Sequence, residues 1–115
     1  MYKEDTQFHE RLNDTTRILS KYPDRIPIIC ERDKMANKDC PQIDKKKYLV
    51  PRELTVGQFM YIIRQRLRLS PEKAIFFFIK GFIPATSCIL SFIYDDYKEE
   101  DNFLYITYVF ENTFG

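Results

Sequence analysis

The residues that could do chemistry most directly lie at the C-terminal end of the chain. Residues 103–110 form an apolar run that predicts a β-strand, and Phe114 and Gly115 follow it after a short spacer. Most domains end in a polar, frayed tail, because terminal residues rarely bury enough surface to become ordered. Glycine lacks a Cβ, so its carboxylate can enter a tunnel that is too narrow for other residues. This arrangement is typical of a protein whose own C-terminus is the substrate of another enzyme; a chance or truncated ending is the alternative.

Side chains that could make the protein itself a catalyst are few. His9 is the only histidine, and it lies near the start of a predicted helix, where a solvated histidine is expected. Three cysteines, Cys30, Cys40 and Cys88, show no C-x-x-C spacing, so we expect free thiols in a reducing compartment. The sequence has no G-x-S-x-G, P-loop or H-E-x-x-H motif. We therefore expect no enzyme, no metal site and no cofactor.

Composition sets the class of protein. The chain has 115 residues, of which 44% are hydrophobic and 16% aromatic, enough for one folded core. Lys and Arg total 18 against 17 Asp and Glu, for a net charge of +1, whereas a dedicated nucleic-acid binder is usually far more basic. RNA binding through Arg64, Arg66, Arg68 and the lysines at 45–47 is thus disfavoured. No apolar run reaches the roughly 18 residues of a membrane span, and residues 1–5 do not resemble a signal peptide, which predicts a cytoplasmic protein.

The first half of the chain predicts a helix followed by a hairpin. Residues 8–22 carry a stripe with spacings of 4, 3, 4 and 3 residues, and Pro23 ends this helix; residues 2–6 can form a short turn before it. Residues 25–31 read as a strand with an internal proline, and residues 31–44 as a loop. Residues 47–50 form a short strand, halted by Pro51, that is typical of a sheet edge. The stripe consists of Phe8, Leu12, Thr15, Leu19 and Tyr22, with Ile18 off it.

The second half begins with a helix whose start is marked by Thr55 and Gln58, a capping box. Residues 74–79 are apolar on both faces, which predicts a strand in the centre of the sheet. A short helix at 87–94, an acidic turn at 95–102 and the final strand follow. The predicted core face of the long helix consists of Phe59, Ile62, Ile63 and Leu67.

This order of elements predicts an α+β fold of the ubiquitin-like β-grasp type. It has a four-stranded mixed sheet, a central crossover helix, and a last strand that lies beside the first, in parallel, at the centre. An additional N-terminal helical segment, residues 1–24, would pack on the domain formed by residues 25–115 and could cover the sheet face opposite the central helix.

Four segments in order carry a specific resemblance. KYPDRIP at 21–27, DKKKYLVP at 44–51, LTVGQF at 54–59 and EEDNFLY at 99–105 closely resemble the GABARAP and light-chain-three family, the ubiquitin-like modifiers of autophagy. The resemblance runs from about Tyr2 to Gly115. It departs from the family at Asp14, where glutamate is usual, and in the longer loop at 31–43. The segment at 3–5 is also not notably basic.

The resemblance implies conjugation of the C-terminus to a lipid. Gly115 matches the glycine that activating and conjugating enzymes transfer to phosphatidylethanolamine. A cytoplasmic monomer would then become associated with the autophagosome membrane. Family precursors commonly carry extra residues that a deconjugating cysteine protease removes; this chain shows none, so it encodes the mature form or has been cut. No nucleic acid is implied.

The resemblance also implies that the protein binds autophagy receptors through short aromatic-x-x-aliphatic motifs, by addition of a strand to residues 47–50. Plain core packing is the alternative for Phe59 and Ile62, whereas the pocket is favoured for Leu49 and Ile18. An unconjugated trafficking adaptor that uses only this groove is the second functional hypothesis. The implied aromatic pocket comprises Asp14, Ile18, Pro27, Ile29, Lys47, Leu49 and Phe103; the aliphatic pocket Tyr48, Val50, Pro51, Leu54, Phe59 and Ile62; and the charge contacts Arg25, Lys45, Lys46 and Arg66.

Overall fold

Helices and strands follow one another in the predicted order in the computed structural model, which describes residues 1–112. The predicted helix before the hairpin, the crossover helix and the final strand are all present. The elements are α1 Tyr2–Asp5, α2 Phe8–Lys21, β1 Arg25–Arg32, β2 Lys47–Pro51, α3 Val56–Leu67, β3 Lys73–Phe78, α4 Leu90–Tyr97 and β4 Leu104–Asn112.

The four strands form one mixed sheet in the order β2-β1-β4-β3. β1 and β4 are parallel, with Ile28 opposite Leu104, while β2 pairs antiparallel with β1 and β3 antiparallel with β4. The predicted position of the last strand, parallel to the first and at the centre, is confirmed. So is the ubiquitin-like fold with an N-terminal helical segment.

The hydrophobic core lies between the sheet and α3. Phe59 is fully buried, and its ring meets Tyr48 edge-on at 5.5 Å and Phe77 at 5.8 Å between ring centroids. Because side chains alternate along a strand, the neighbours of core residues point to the other face. Ile29 and Phe103 are buried there, outside the main cluster, on the face that α2 covers through its packing against β1.

The start of α3 is fixed by the capping box that the sequence predicts. The Thr55 hydroxyl accepts a hydrogen bond from the Gln58 amide at 3.1 Å, and the Gln58 side chain accepts one from the Thr55 amide at 2.9 Å. Such reciprocal bonds satisfy two amides that have no partner within the helix. The capping box thus fixes where α3 begins, three residues before Phe59, which packs against Tyr48 of β2.

The prediction that residues 74–79 lie at the centre of the sheet is wrong. β3 is the second edge strand. Ile75 and Phe77 are buried against α3, but Phe76 on the opposite face is 37% exposed. The cause is that α2 packs against β1, two strands away, and leaves this part of the face open.

Three further details differ from the predictions. Phe8 and Tyr22, at the ends of the predicted stripe, are 44% and 39% exposed and so do not belong to the buried face of α2. β1 extends to Arg32, one residue beyond the predicted strand, and Glu31 within it is buried. Ile62 is 39% exposed and so is not part of the core face of α3.

The three cysteines are free thiols in unequal environments. Cys30 and Cys40 are buried and Cys88 is exposed; burial raises the pKa of both buried thiols. Because the thiolate is the reactive form, we expect Cys88 to react with a maleimide on the order of a hundredfold faster than either buried thiol. Mass spectrometry of the native protein over time measures this, with Cys88→Ser as control. Equal labelling of all three cysteines would contradict it.

Candidate functional site

β2 offers an open backbone edge. It pairs with β1 on one side, and the described residues provide no strand on the other. The Cys30 amide donates to the Lys46 carbonyl at 2.8 Å, and antiparallel residues alternate between bonded and non-bonded pairs. The backbone groups of Lys47 and Leu49 therefore point away from β1. Pro27, which has no N–H, lies opposite Leu49 in a non-bonded position.

The side chains of β2 divide between the two faces of the sheet. Residues directly opposite one another share a face, and Leu49 lies opposite Pro27 while Lys47 lies opposite Ile29. These four face α2. Tyr48 and Val50, two positions apart on β2, share the other face and belong to the core cluster beneath α3. The edge strand thus presents one set of the family-implied residues on each side.

The α2 side carries the residues implied for the aromatic pocket. Phe103 is 0% and Ile29 is 1% exposed, and Pro27 is also buried. Leu49 and Ile18 are half-buried, so they are the apolar members of the set that a ligand can contact. The set is therefore an apolar floor with two accessible flanking side chains.

Asp14 connects α2 to β2 beside this floor. One of its carboxylate oxygens accepts from Lys47 Nζ at 2.6 Å and the other from Arg17 Nη2 at 2.6 Å. Burial alone would raise the pKa of this carboxyl, but the hydrogen bonds from Lys47 and Arg17 lower it below its ordinary value. A surface cavity of about 510 Å³ adjoins the ion pair; it is lined by Tyr2, Thr6, Glu10, Asn13, Asp14, Arg17 and Lys47.

Replacing Lys47 with methionine is expected to raise the pKa of Asp14, because it removes one of the two cations that favour the carboxylate. A folded-state pKa that is lowered stabilises the fold above the unfolded pKa, and this contribution is lost as the pH falls through the folded pKa. The acid side of the stability profile should therefore be shallower in Lys47→Met. Carboxyl NMR titration of both proteins measures the shift, and an unchanged Asp14 pKa would show that the ion pair does not form in solution.

The α3 side carries the residues implied for the aliphatic pocket. Tyr48, Val50 and Phe59 are buried, with Phe59 part of the core proper. Leu54 is half-buried, and Ile62 and Pro51 are exposed. These side chains give a buried floor with an apolar rim. Pro51, the last residue of β2, follows Val50 directly, so its side chain points to the opposite face of the sheet. Burial raises the pKa of Tyr48 to about 12.

The cations implied for charge contacts are partly engaged within the chain. Arg66 donates to both oxygens of Asp44 at 2.9 and 3.1 Å, and Lys46 Nζ lies 3.9 Å from Glu31. Lys45 lies over the ring of Tyr48, 5.0 Å from its centroid. An acidic ligand would have to exchange with these carboxylates.

Two other positions bear on the predicted contacts. Arg25 is half-buried at the start of β1. Arg64 donates to the carbonyls of Lys73 and Ser70, which ties it to the α3–β3 connection and not to a basic surface for RNA.

Two residues beside the predicted aromatic pocket were not predicted from the sequence. Tyr2 of α1 packs its ring edge-on against Phe103, 5.7 Å between centroids. Asp101, expected in a solvated acidic turn, is 2% exposed and pairs with Arg11. No local pattern distinguishes these residues, because their partners are far away in the chain.

Gly115, the predicted conjugation residue, lies outside the described residues. Within residues 1–112, no group of three His, Cys, Asp or Glu side chains could hold a metal ion. No helix in the same part of the chain is both long and apolar enough to cross a bilayer.

Comparison with known proteins gives consistent matches. The family profile described as "Autophagy protein Atg8 ubiquitin like" matches residues 10–115. Autophagy-related protein 8 of Schizosaccharomyces pombe is 58% identical over 114 residues, covering 99% of this chain and 93% of that protein. The protein of the same name from Mycosarcoma maydis is 55% identical, covering 99% and 95%. The crystal structure of Trypanosoma brucei ATG8 superposes with a TM-score of 0.90 at 41% identity, covering 99% of this chain and 97% of that one.

Proposed function

The chain belongs to the Atg8 family of ubiquitin-like autophagy proteins, and from this premise we propose that it is a lipid-conjugated modifier that recruits receptors. Its Gly115 is joined to phosphatidylethanolamine, and its β2 edge binds receptors that bear aromatic-x-x-aliphatic motifs. It is acted on by activating and conjugating enzymes and by a deconjugating cysteine protease, and it is a substrate and not a catalyst. It is a cytoplasmic monomer that becomes attached to the autophagosome membrane.

The observation that supports motif binding is the open β2 edge with an apolar group on each face. A peptide added to β2 would bond to the outward backbone groups of Lys47 and Leu49. Two of its side chains three residues apart are roughly 10 Å apart along the strand. One would meet the half-buried Leu49 and Ile18, and the other the rim formed by Leu54 and Ile62.

Conjugation is supported by the position of β4. This strand is paired on both sides and ends at Asn112, three residues before Gly115. A lipid on Gly115 would therefore be attached close to the folded domain. Each buried CH₂ contributes about 0.8 kcal/mol, so two acyl chains hold a domain stably at a bilayer.

A reconstituted conjugation assay tests this proposal. The protein is incubated with cognate activating and conjugating enzymes, ATP and phosphatidylethanolamine vesicles, and intact mass is measured. We expect a mass increase equal to one lipid. If no adduct forms while a relative is conjugated in the same mixture, and motif peptides still bind, the protein is an unconjugated adaptor that uses only the groove.

A further inference from the structure

We propose that Asp101 is a positioning residue for the aromatic end of the β2 groove, the end lined by Ile29, Leu49 and Phe103. Through its bond to Arg11 it also holds α1 and α2 in place beside that end. This inference rests on the proposed motif binding. It assigns a function to a buried acid that lies outside every set of residues named for the groove.

Asp101 is the centre of a buried hydrogen-bond network. One carboxylate oxygen accepts from the Phe103 amide at 2.9 Å, and the other accepts from Arg11 Nε at 2.9 Å and from the Tyr105 hydroxyl. Its backbone carbonyl accepts from the Thr15 hydroxyl at 2.6 Å. The residue is 2% exposed, so these bonds are shielded from water. One aspartate thus fixes α2 against the start of β4.

Arg11 carries the same network into α1. Its Nη1 donates to the carbonyl of Lys3 at 2.6 Å and to that of Thr6 at 2.8 Å, and the side chain is itself buried. The amide of Tyr2 donates to the buried carboxylate of Glu31 at 2.8 Å. The four-residue helix α1 is therefore fixed at both ends, and the position of the Tyr2 ring is defined.

Phe103 lies where these contacts converge. Its ring stands between those of Tyr2 and Tyr105, at centroid distances of 5.7 and 6.2 Å and interplanar angles of 74° and 69°. The residue before it, Asn102, has a φ of 67°, so the turn that leads into Phe103 has a backbone conformation that few residues adopt. The Asp101 bond to the Phe103 amide closes that turn. The floor of the aromatic end is thus oriented by Asp101 through its backbone and through both neighbouring rings.

The aliphatic end is independent of this network. Val50 and Phe59 lie on the opposite face of the sheet, in the cluster beneath α3. Asparagine at position 101 retains the volume and one acceptor oxygen. Its amide nitrogen cannot accept from Arg11 or Tyr105. We therefore expect Asp101→Asn to loosen the aromatic end and leave the aliphatic end unchanged.

A double-mutant cycle between protein and peptide tests the proposal. Three synthetic peptides, Trp-x-x-Leu, Ala-x-x-Leu and Trp-x-x-Ala with identical flanks, are titrated against the full chain, its Asp101→Asn variant and Asp96→Asn, an exposed acid of α4, as control. In the wild type and the control we expect Trp→Ala in the peptide to cost about a hundredfold in affinity, and in Asp101→Asn only about tenfold. The loss on Leu→Ala should be the same in all three proteins.

The outcomes are distinguishable. If Asp101→Asn lowers the affinity of every peptide by one common factor, or leaves the Trp→Ala loss at its wild-type value, the positioning function is refuted while motif binding stands. If the wild type binds none of the peptides, the proposed function fails and the inference fails with it. If Asp101→Asn does not fold, Tyr105→Phe, which removes only one bond to the carboxylate, should still reduce the Trp→Ala loss by about threefold. An unchanged loss in that variant overturns the proposal.

Discussion

Gly115→Ala is expected to abolish attachment to phosphatidylethanolamine. In the proposed activation, a carboxylate oxygen of the C-terminus attacks the α-phosphorus of ATP with release of pyrophosphate, and a methyl group on the reacting residue obstructs this approach in a narrow channel. A misplacement of about 1 Å at a reacting centre can cost on the order of a hundredfold in rate. The adduct, measured by intact mass, should fall by at least about that factor.

The control for this prediction is Thr113→Ala, which alters the same tail without changing the reacting residue. Gly115→Ala should also bind motif peptides with wild-type affinity, because the β2 groove belongs to the folded domain. Equal rates of adduct formation in Gly115→Ala and the wild type would remove the conjugation half of the proposed function.

Leu49→Glu is expected to weaken binding of a Trp-x-x-Leu peptide by about a hundredfold, which corresponds to about 2.7 kcal/mol. Leu49 is half-buried on the α2 face opposite Pro27, and its backbone lies on the open edge. A carboxylate at this position would be desolvated by the peptide's aromatic ring without gaining a partner. The glutamate at position 49 would also lie on the same face of the sheet as Asp14, so the two carboxylates would repel each other.

Isothermal titration with the wild type, Leu49→Glu and Ile83→Glu measures this loss. Ile83 is 58% exposed and lies outside the groove, so Ile83→Glu introduces the same charge at a neutral position. Leu49→Glu should still be conjugated to lipid, which shows that it folds. If both variants bind the peptide as the wild type does, the peptide does not use this edge.

The sequence was sufficient for the order of helices and strands and for the pairing of the first and last strands. Periodicity and the capping box at Thr55 depend on neighbours in the chain, so a single sequence contains them. The error in β3 has a different origin. The apolar content of a strand indicates how much of it is buried, but it does not determine which strands pair with it. Phe76 is exposed because α2 packs against β1 and does not cover β3.

The candidate site was predicted by resemblance, and its connection to the N-terminal helices was not. Asp101 stands in an acidic turn, and the local pattern gives no reason to separate it from its neighbours. Its partner Arg11 is 90 positions away in the chain. Arg11 lies on the buried face of α2, whereas a charged residue is expected on the exposed face. Buried ion pairs of this kind depend on two distant residues meeting in the folded chain, and hydrophobic periodicity does not encode them.

The sheet order has a mechanical consequence. β4 is held by β1 over five residue pairs and by β3 over six, so tension applied through the C-terminal tail would load both ladders in shear at once. β2 is held on one side only, and a sideways pull on it can separate its bonds one after another. If the protein is conjugated to lipid and bound by receptors as proposed, a receptor pulling on β2 would load the less supported of these two strands. We therefore expect β2 to detach from the sheet at a lower force than β4, so that the proposed receptor contact would break before the strand that leads to Gly115 unfolds.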